Sequence, residues 1–173
     1  MKRLMGMALF TFLLCTGFSY SQLKIGYVDS DTIMDKLPDA QDARQKLDNI
    51  IKDWQSELSK LEAEWKTKYD DYDKRKLIMT DQTRAETEQE LVKLEQGIAA
   101  YREKKFGTNG ELFQKQDELM KPVQNKVFLA IQAVAEDLEL DFVFDRSGDI
   151  MLLYAKTEYD ITQKVLDKLK LEQ

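Results

Sequence analysis

Residues 47–80 read LDNIIKDWQSELSKLEAEWKTKYDDYDKRKLIMT, and residues 81–106 answer with DQTRAETEQELVKLEQGIAAYREKKF. In the first stretch Leu47, Ile51, Trp54, Leu58, Leu61, Trp65, Tyr69 and Tyr72 step by mostly alternating fours and threes. In the second and beyond it, Leu91, Leu94, Ile98, Tyr101, Phe106, Phe113 and Met120 keep a looser version of that rhythm. Such spacing lays one apolar stripe along each of two helices. The stripes are mirror images about Thr80. Leu47 with Phe113, Trp54 with Phe106, Leu61 with Ile98, Trp65 with Leu94 and Tyr69 with Leu91 have residue numbers that add to 159 or 160. Two antiparallel helices need this symmetry if their apolar side chains are to meet level by level across one seam. The chain therefore runs out as one helix, reverses near residues 79–83 and returns as another. Roughly forty helical residues span about 60 Å, whereas a compact chain of this length has a diameter of only about 40 Å. The helical pair projects as an arm.

Punctuation around the arm is sparse. Pro38 suits a helix entrance, with Asp39 or a neighbour as its cap. Neither Gly nor Pro marks the reversal; Thr83 and Glu86 form a capping-box pattern, with Thr80 and Asp81 as competing caps. Gly107 and Gly110, poor helix formers, point to close packing or a local bend. Pro122 is expected to kink or restart the helix, and beyond it Val123, Val127, Ile131, Val134 and Leu138 form a stripe facing a more globular core. Leu23 to Asp29 reads as a strand and Ser30 to Lys36 as a short helical turn. Asp141 to Asp145 reads as a second strand, turned by Arg146-Ser147-Gly148 into a returning run, Asp149 to Tyr154. Ile150 to Leu153 is apolar on both faces, which suggests burial on two sides. Asp160 can cap a last helix over Ile161 to Leu171. The expected fold is α+β: a small β body (22–38 and 123–173) built from an N-terminal strand plus a C-terminal hairpin, carrying a long antiparallel coiled-coil arm (39–122).

The first 21 residues read as an address. Lys2 and Arg3 give a positive start, Leu4 to Phe18 a short apolar run, and Ser19-Tyr20-Ser21 a small-x-small cleavage site. Residues 1–21 are thus expected to be a cleaved secretory signal. Its removal takes away the only Cys and shifts the formal net charge from −6 to −8; the chain has no His. Disulfides, thiol nucleophiles, imidazole bases and His/Cys metal sites are then excluded from the mature chain. An acidic domain without a basic stripe is a poor partner for nucleic acid and, for the same reason, for an anionic membrane surface. Lys52 to Lys121 holds 14 basic and 16 acidic residues, so the arm is nearly neutral.

Two features invite chemistry. Tyr27-Val28-Asp29-Ser30-Asp31-Thr32-Ile33 follows a strand and resembles the Asp-x-Asp signature of haloacid-dehalogenase-type phosphatases, in which one carboxylate attacks phosphate and a magnesium ion bridges the pair. That chemistry needs a parallel sheet with alternating helices, and the arm leaves too little chain for one. Asp29, Ser30 and Asp31 instead suit the capping of the turn after the strand, so no catalytic residue, metal or cofactor is assigned. The second feature is apolar surface. Leu77, Ile78 and Met79 lie at the far end of the arm, where nothing else in the chain covers them, beside Lys74, Arg75 and Lys76. The arm aromatics, Trp65, Tyr69, Tyr72 and Tyr101 among them, fit a seam, and some offer adaptable apolar contact to a partner.

The layout resembles the Skp/OmpH family of periplasmic chaperones. The resemblance is carried by Ile25-Gly26-Tyr27-Val28-Asp29, by Pro122-Val123-Gln124-Asn125-Lys126-Val127 leading to Asp141-Phe142-Val143-Phe144-Asp145, and by Tyr154, Tyr159-Asp160-Ile161-Thr162 and Val165 to Leu169. It implies a homotrimer whose strands form a barrel-like body, with three arms around a cavity that holds unfolded outer-membrane proteins without nucleotide. On that reading Ile25, Tyr27, Phe142, Phe144, Ile150 and Leu152 assemble the body, while Leu77, Ile78, Met79 and the arm aromatics touch the client. Some members are strongly basic and bind lipopolysaccharide; this chain has no matching cluster, and membrane contact is at most indirect. A periplasmic coiled-coil adaptor bridging two envelope proteins would use the same arm, with a folded partner at its tip.

Overall fold

The computed structural model describes residues 23–148 and 152–171. Strand β1 (Ile25–Val28) leads into helix α1 (Ser30–Lys36), and α2 (Pro38–Arg75) then runs the length of the arm. Helix α3 (Asp81–Phe106) returns, α4 (Glu111–Asp137) continues into the body, β2 (Phe142–Asp145) closes the sheet, and α5 (Thr162–Leu171) ends the fold after a 3-10 turn, Thr157–Tyr159. At about 1.5 Å per residue the 38 residues of α2 extend some 57 Å.

The reversal sits earlier than the mirror symmetry suggests. Helix α2 stops at Arg75, and Thr80 is the cap of α3, its hydroxyl accepting from the Thr83 N–H at 3.2 Å. The Thr83–Glu86 box is not used. Arg84 replaces the missing Gly by reaching back across the turn, donating to the carbonyls of Lys76 (3.3 Å) and Met79 (3.5 Å). A cation on the free carbonyls of a helix C-terminus satisfies both their hydrogen bonding and the dipole. At the root of α2, Pro38 takes the first helical position as expected, but the cap residue is Leu37 without a side-chain bond, and Asp39 pairs instead with Lys126 at 2.7 Å.

The returning limb breaks once. Residues 107–110 form a tight turn, with the Gly107 N–H donating to Glu103 and the Gly110 N–H to Gly107. A Cβ on Gly107 would lie 2.4 Å from the Glu103 carbonyl, and one on Gly110 2.9 Å from Gly107 itself. The glycines are therefore demanded by the bend. Pro122, in contrast, neither ends nor restarts a helix: α4 runs through it unbroken. Leu119, Met120, Val123 and Val127 on both sides of it pack into the core, and that burial outweighs one lost backbone bond.

The core is a single cluster at the arm's root. Val28 and Ile33 meet Leu37, Ala40 and Ala43 from the start of α2, Val123, Val127, Ala130 and Val134 from α4, and Ile161, Val165, Leu166 and Leu169 around α5. Over this core β1 and β2 pair in parallel, Ile25 opposite Phe142 and Val28 opposite Asp145, and a bridge from Tyr27 to Asp160 extends the other edge. Parallel pairing needs a long crossover; here the crossover is the whole arm. The expected hairpin is not formed among the described residues. Leu152 to Tyr154 have no strand partner among the described residues, and residues 149–151 lie outside them. At the expected turn Ser147 bonds Asp145 through its N–H and hydroxyl at 3.1 and 2.7 Å, and its hydroxyl also meets Ser30 and Asp31 at the start of α1.

Candidate functional site

Along the arm the seam follows the sequence pattern. Leu47, Ile51, Trp54, Leu58, Leu61 and Trp65 on α2 and Leu94, Ile98 and Tyr101 on α3 are half-buried, and Leu91 is buried. Trp54 meets Phe106 edge to face at 6.0 Å, and the Lys105 ammonium lies 4.5 Å from the Trp54 ring centre while pairing with Glu111. Those bonds from Lys105, joined by Lys104, hold the Glu111 carboxyl below its ordinary range. Trp65 stacks on Tyr69 at 5.1 Å. Tyr72 donates its hydroxyl proton to Glu88, and Lys68 pairs with Glu90; each bond raises the pKa of its donor. Of the aromatics assigned to client contact, Trp65, Tyr72 and Tyr101 thus stand half-buried in the seam, and Tyr69 stands at its exposed edge. Phe113, which the mirror rule sets against Leu47, lies beyond the 107–110 turn and is exposed.

The tip is bare. Leu77 is 89% and Ile78 84% exposed, whereas Met79 is half-covered. Its positive charge is largely spent locally: Arg75 pairs with Asp71 at 3.2 Å and Lys76 with Asp73 at 2.7 Å. That leaves an apolar patch of near-neutral surroundings about 50 Å from the core by helix length.

The body presents a second apolar surface. On the open side of the sheet Ile25, Phe142 and Leu152 are exposed, with Leu153 and Tyr154 exposed beside them. Of these, Ile25, Leu152 and Tyr154, together with Leu23, Phe144 and Tyr159, line an open groove of about 490 Å³. Tyr27, assigned to assembly, is already buried by its own chain, with Arg146 over its ring at 6.0 Å, while Phe144 is half-buried. Ile150 lies outside the described residues. Reading of the sequence missed Phe128 and Leu129, both exposed on α4. Their signal was a second apolar column beside the Val123–Val127 stripe, hidden because adjacent apolar residues look like one broad face.

The phosphatase-like stretch joins elements of the body. Asp29 caps α1, its carboxylate accepting from the Thr32 N–H at 2.8 Å, and its own N–H donates to Thr162 at 3.0 Å. Ser30 donates its backbone N–H and its hydroxyl to Asp145. Burial pushes the Asp145 carboxyl up, but the bonds from Ser30 and Ser147 outweigh it and leave the group below its ordinary value. These side chains join the end of β2 to the start of α1, which leaves the Asp29 carboxylate engaged as a cap.

Comparison with known proteins reports on this arrangement as a whole. A family model described as outer membrane protein (OmpH-like) matches residues 24–169. The chain is 29% identical over 154 residues to the chaperone protein Skp of Vibrio cholerae serotype O1 (strain ATCC 39315 / El Tor Inaba N16961), covering 85% of this chain and 83% of that one. Its fold superposes, with a TM-score of 0.74 and 14% identity, on an OmpH-like protein of Caulobacter crescentus CB15 described as a candidate outer membrane chaperone, over 88% of this chain and 87% of that one.

Proposed function

The chain belongs to the OmpH-like family, a family of outer membrane chaperones, and from that premise we propose that it is an ATP-independent periplasmic holdase. Three copies associate through the open face of the sheet, and the arms enclose an unfolded outer-membrane protein and keep it from aggregating. The observation that carries this reading is the exposed apolar face at Ile25, Phe142 and Leu152, at the root of an arm whose far end is also apolar and uncovered. An isolated two-stranded sheet is marginal in water. Strands contributed by further copies would complete it and set several arms around one space. Inside that space many weak contacts suffice, because enclosure raises the effective concentration of each. Near-neutral arms make apolar contact, rather than charge, the main attraction.

The test is dilution of a urea-unfolded porin into the purified protein without nucleotide, followed by light scattering. Suppression saturating near three chains per client supports a trimeric cage holding one client. Undiminished aggregation in the presence of intact, folded trimer would overturn the holdase and favour the adaptor, whose partner at Leu77 and Ile78 would be a folded protein.

A further inference from the structure

Gly97 stands in the interior of α3 without a structural reason to be there. Gly is the poorest helix former after Pro. A Cβ built on it would meet no heavy atom within 4 Å, and no described glycine has a positive φ. Gly26, Gly107 and Gly110 are different: at each an added Cβ would come within 3 Å of a neighbour. Gly97 lines an open groove of about 410 Å³ between α2 and α3, with Leu61, Leu94, Ile98 and Tyr101 as its apolar side chains.

We propose that this groove seats a single aromatic side chain from an extended segment of an unfolded client. The proposal rests on the holdase reading and adds where on the arm the client is gripped. The floor is apolar and wide enough for a ring. The rim carries both signs: Lys68 is paired with Glu90, while Lys93 and Glu64 make no ion pair among the described residues. The Lys93 ammonium and the Glu64 carboxylate, the latter acting also on Lys68, flank an apolar floor and complement a neutral ring whose flanking backbone offers a carbonyl and an N–H; the ammonium is also attracted to the ring face. Strands of outer-membrane barrels alternate apolar and polar residues and carry aromatic girdles. An extended client segment therefore presents isolated rings, each between polar neighbours.

Labelling with ¹⁵N-glycine gives at most seven reporters in the whole chain. The probe is an extended peptide alternating Tyr or Phe with Ser, and its control has Ala at every aromatic position. The aromatic peptide should move the Gly97 resonance saturably and leave Gly107 and Gly148 in place; the control should move none. In the porin assay Gly97→Leu, which fills the groove, should raise the concentration for half-suppression about fivefold. Gly97→Ala should raise Tm by about 2–4 °C, as removal of a helix-interior glycine does in a chain of this size. Gln96→Leu, on the exposed side of α3, should hold client like the parent. An unmoved Gly97 resonance, or full holding by folded Gly97→Leu, overturns the proposal. If Gly97→Leu fails to fold, the resonance shift alone decides. A parent protein that holds no porin while Gly97 still responds would sink the holdase and leave the groove as a site for aromatic peptides.

Discussion

Asp145 shows how one carboxylate can organise two elements. It accepts from the N–H of Ser30 at 3.1 Å and from the Ser147 hydroxyl at 2.7 Å, and so ties β2, α1 and the following turn together. Hydrogen bonds to a charged group contribute about 1.5–3 kcal/mol each when sheltered, and partial exposure here reduces that. Asp145→Asn should lower unfolding stability by about 1–2 kcal/mol at pH 7, allowing for that exposure. The sign with pH follows from the lowered folded-state pKa. The contribution is complete above the unfolded value, about 3.9, and is lost as pH falls through the folded value. Denaturant unfolding at pH 7 and at successively lower pH checks this; the difference between parent and variant should narrow as the pH falls. At this scale the sequence was readable in part. Asp29 as the cap of α1 followed from a carboxylate after a strand, whereas its partner Thr162 lies more than a hundred residues away and leaves no local trace.

Among the elements, the arm is where local pattern and final structure agree best. The seam residues are half-buried in the predicted order, and Trp54 meets Phe106 as the mirror rule requires. Beyond residues 107–110, where a turn interrupts the returning limb, Phe113, expected in the seam, is exposed. The reversal at 76–80 was displaced as well: its carbonyls are satisfied by Arg84 from the opposite helix, a contact that no turn motif encodes. The many ion pairs along the arm are exposed at one or both partners and add little individually; the seam supplies most of its order. Replacing Leu77, Ile78 and Met79 together by Ser should leave the arm's helicity and the proposed trimer intact, since Leu77 and Ile78 are almost wholly exposed. Client holding should weaken about three- to tenfold, the equivalent of about 0.7–1.4 kcal/mol. Circular dichroism, sedimentation and the porin assay, run on the same sample, separate these effects. Unchanged holding would remove the tip from the client surface.

For the whole molecule, the body and the arm divide the work: a small core anchors the arm, and an uncovered apolar face lies beside that anchor. A charge on that face would be left unpaired if another copy covered it, a cost of several kcal/mol. Ile25→Asp combined with Phe142→Asp should therefore convert the proposed trimer to monomers while each arm keeps its helical content. Analytical ultracentrifugation with circular dichroism would show it, and a trimer that survives the double change would move the interface elsewhere, with exposed Phe128 and Leu129 the next surface to test. The arm, its projection and its apolar tip were determined by the sequence alone, because helix periodicity and mirror spacing are properties of neighbouring residues. The parallel pairing of β1 with β2 and the continuity of α4 through Pro122 were decided only in the tertiary structure. Each depends on partners far apart in the chain, such as Lys24 and Asp141, 117 residues apart, and burial against a shared core outweighs the local preference of any one segment.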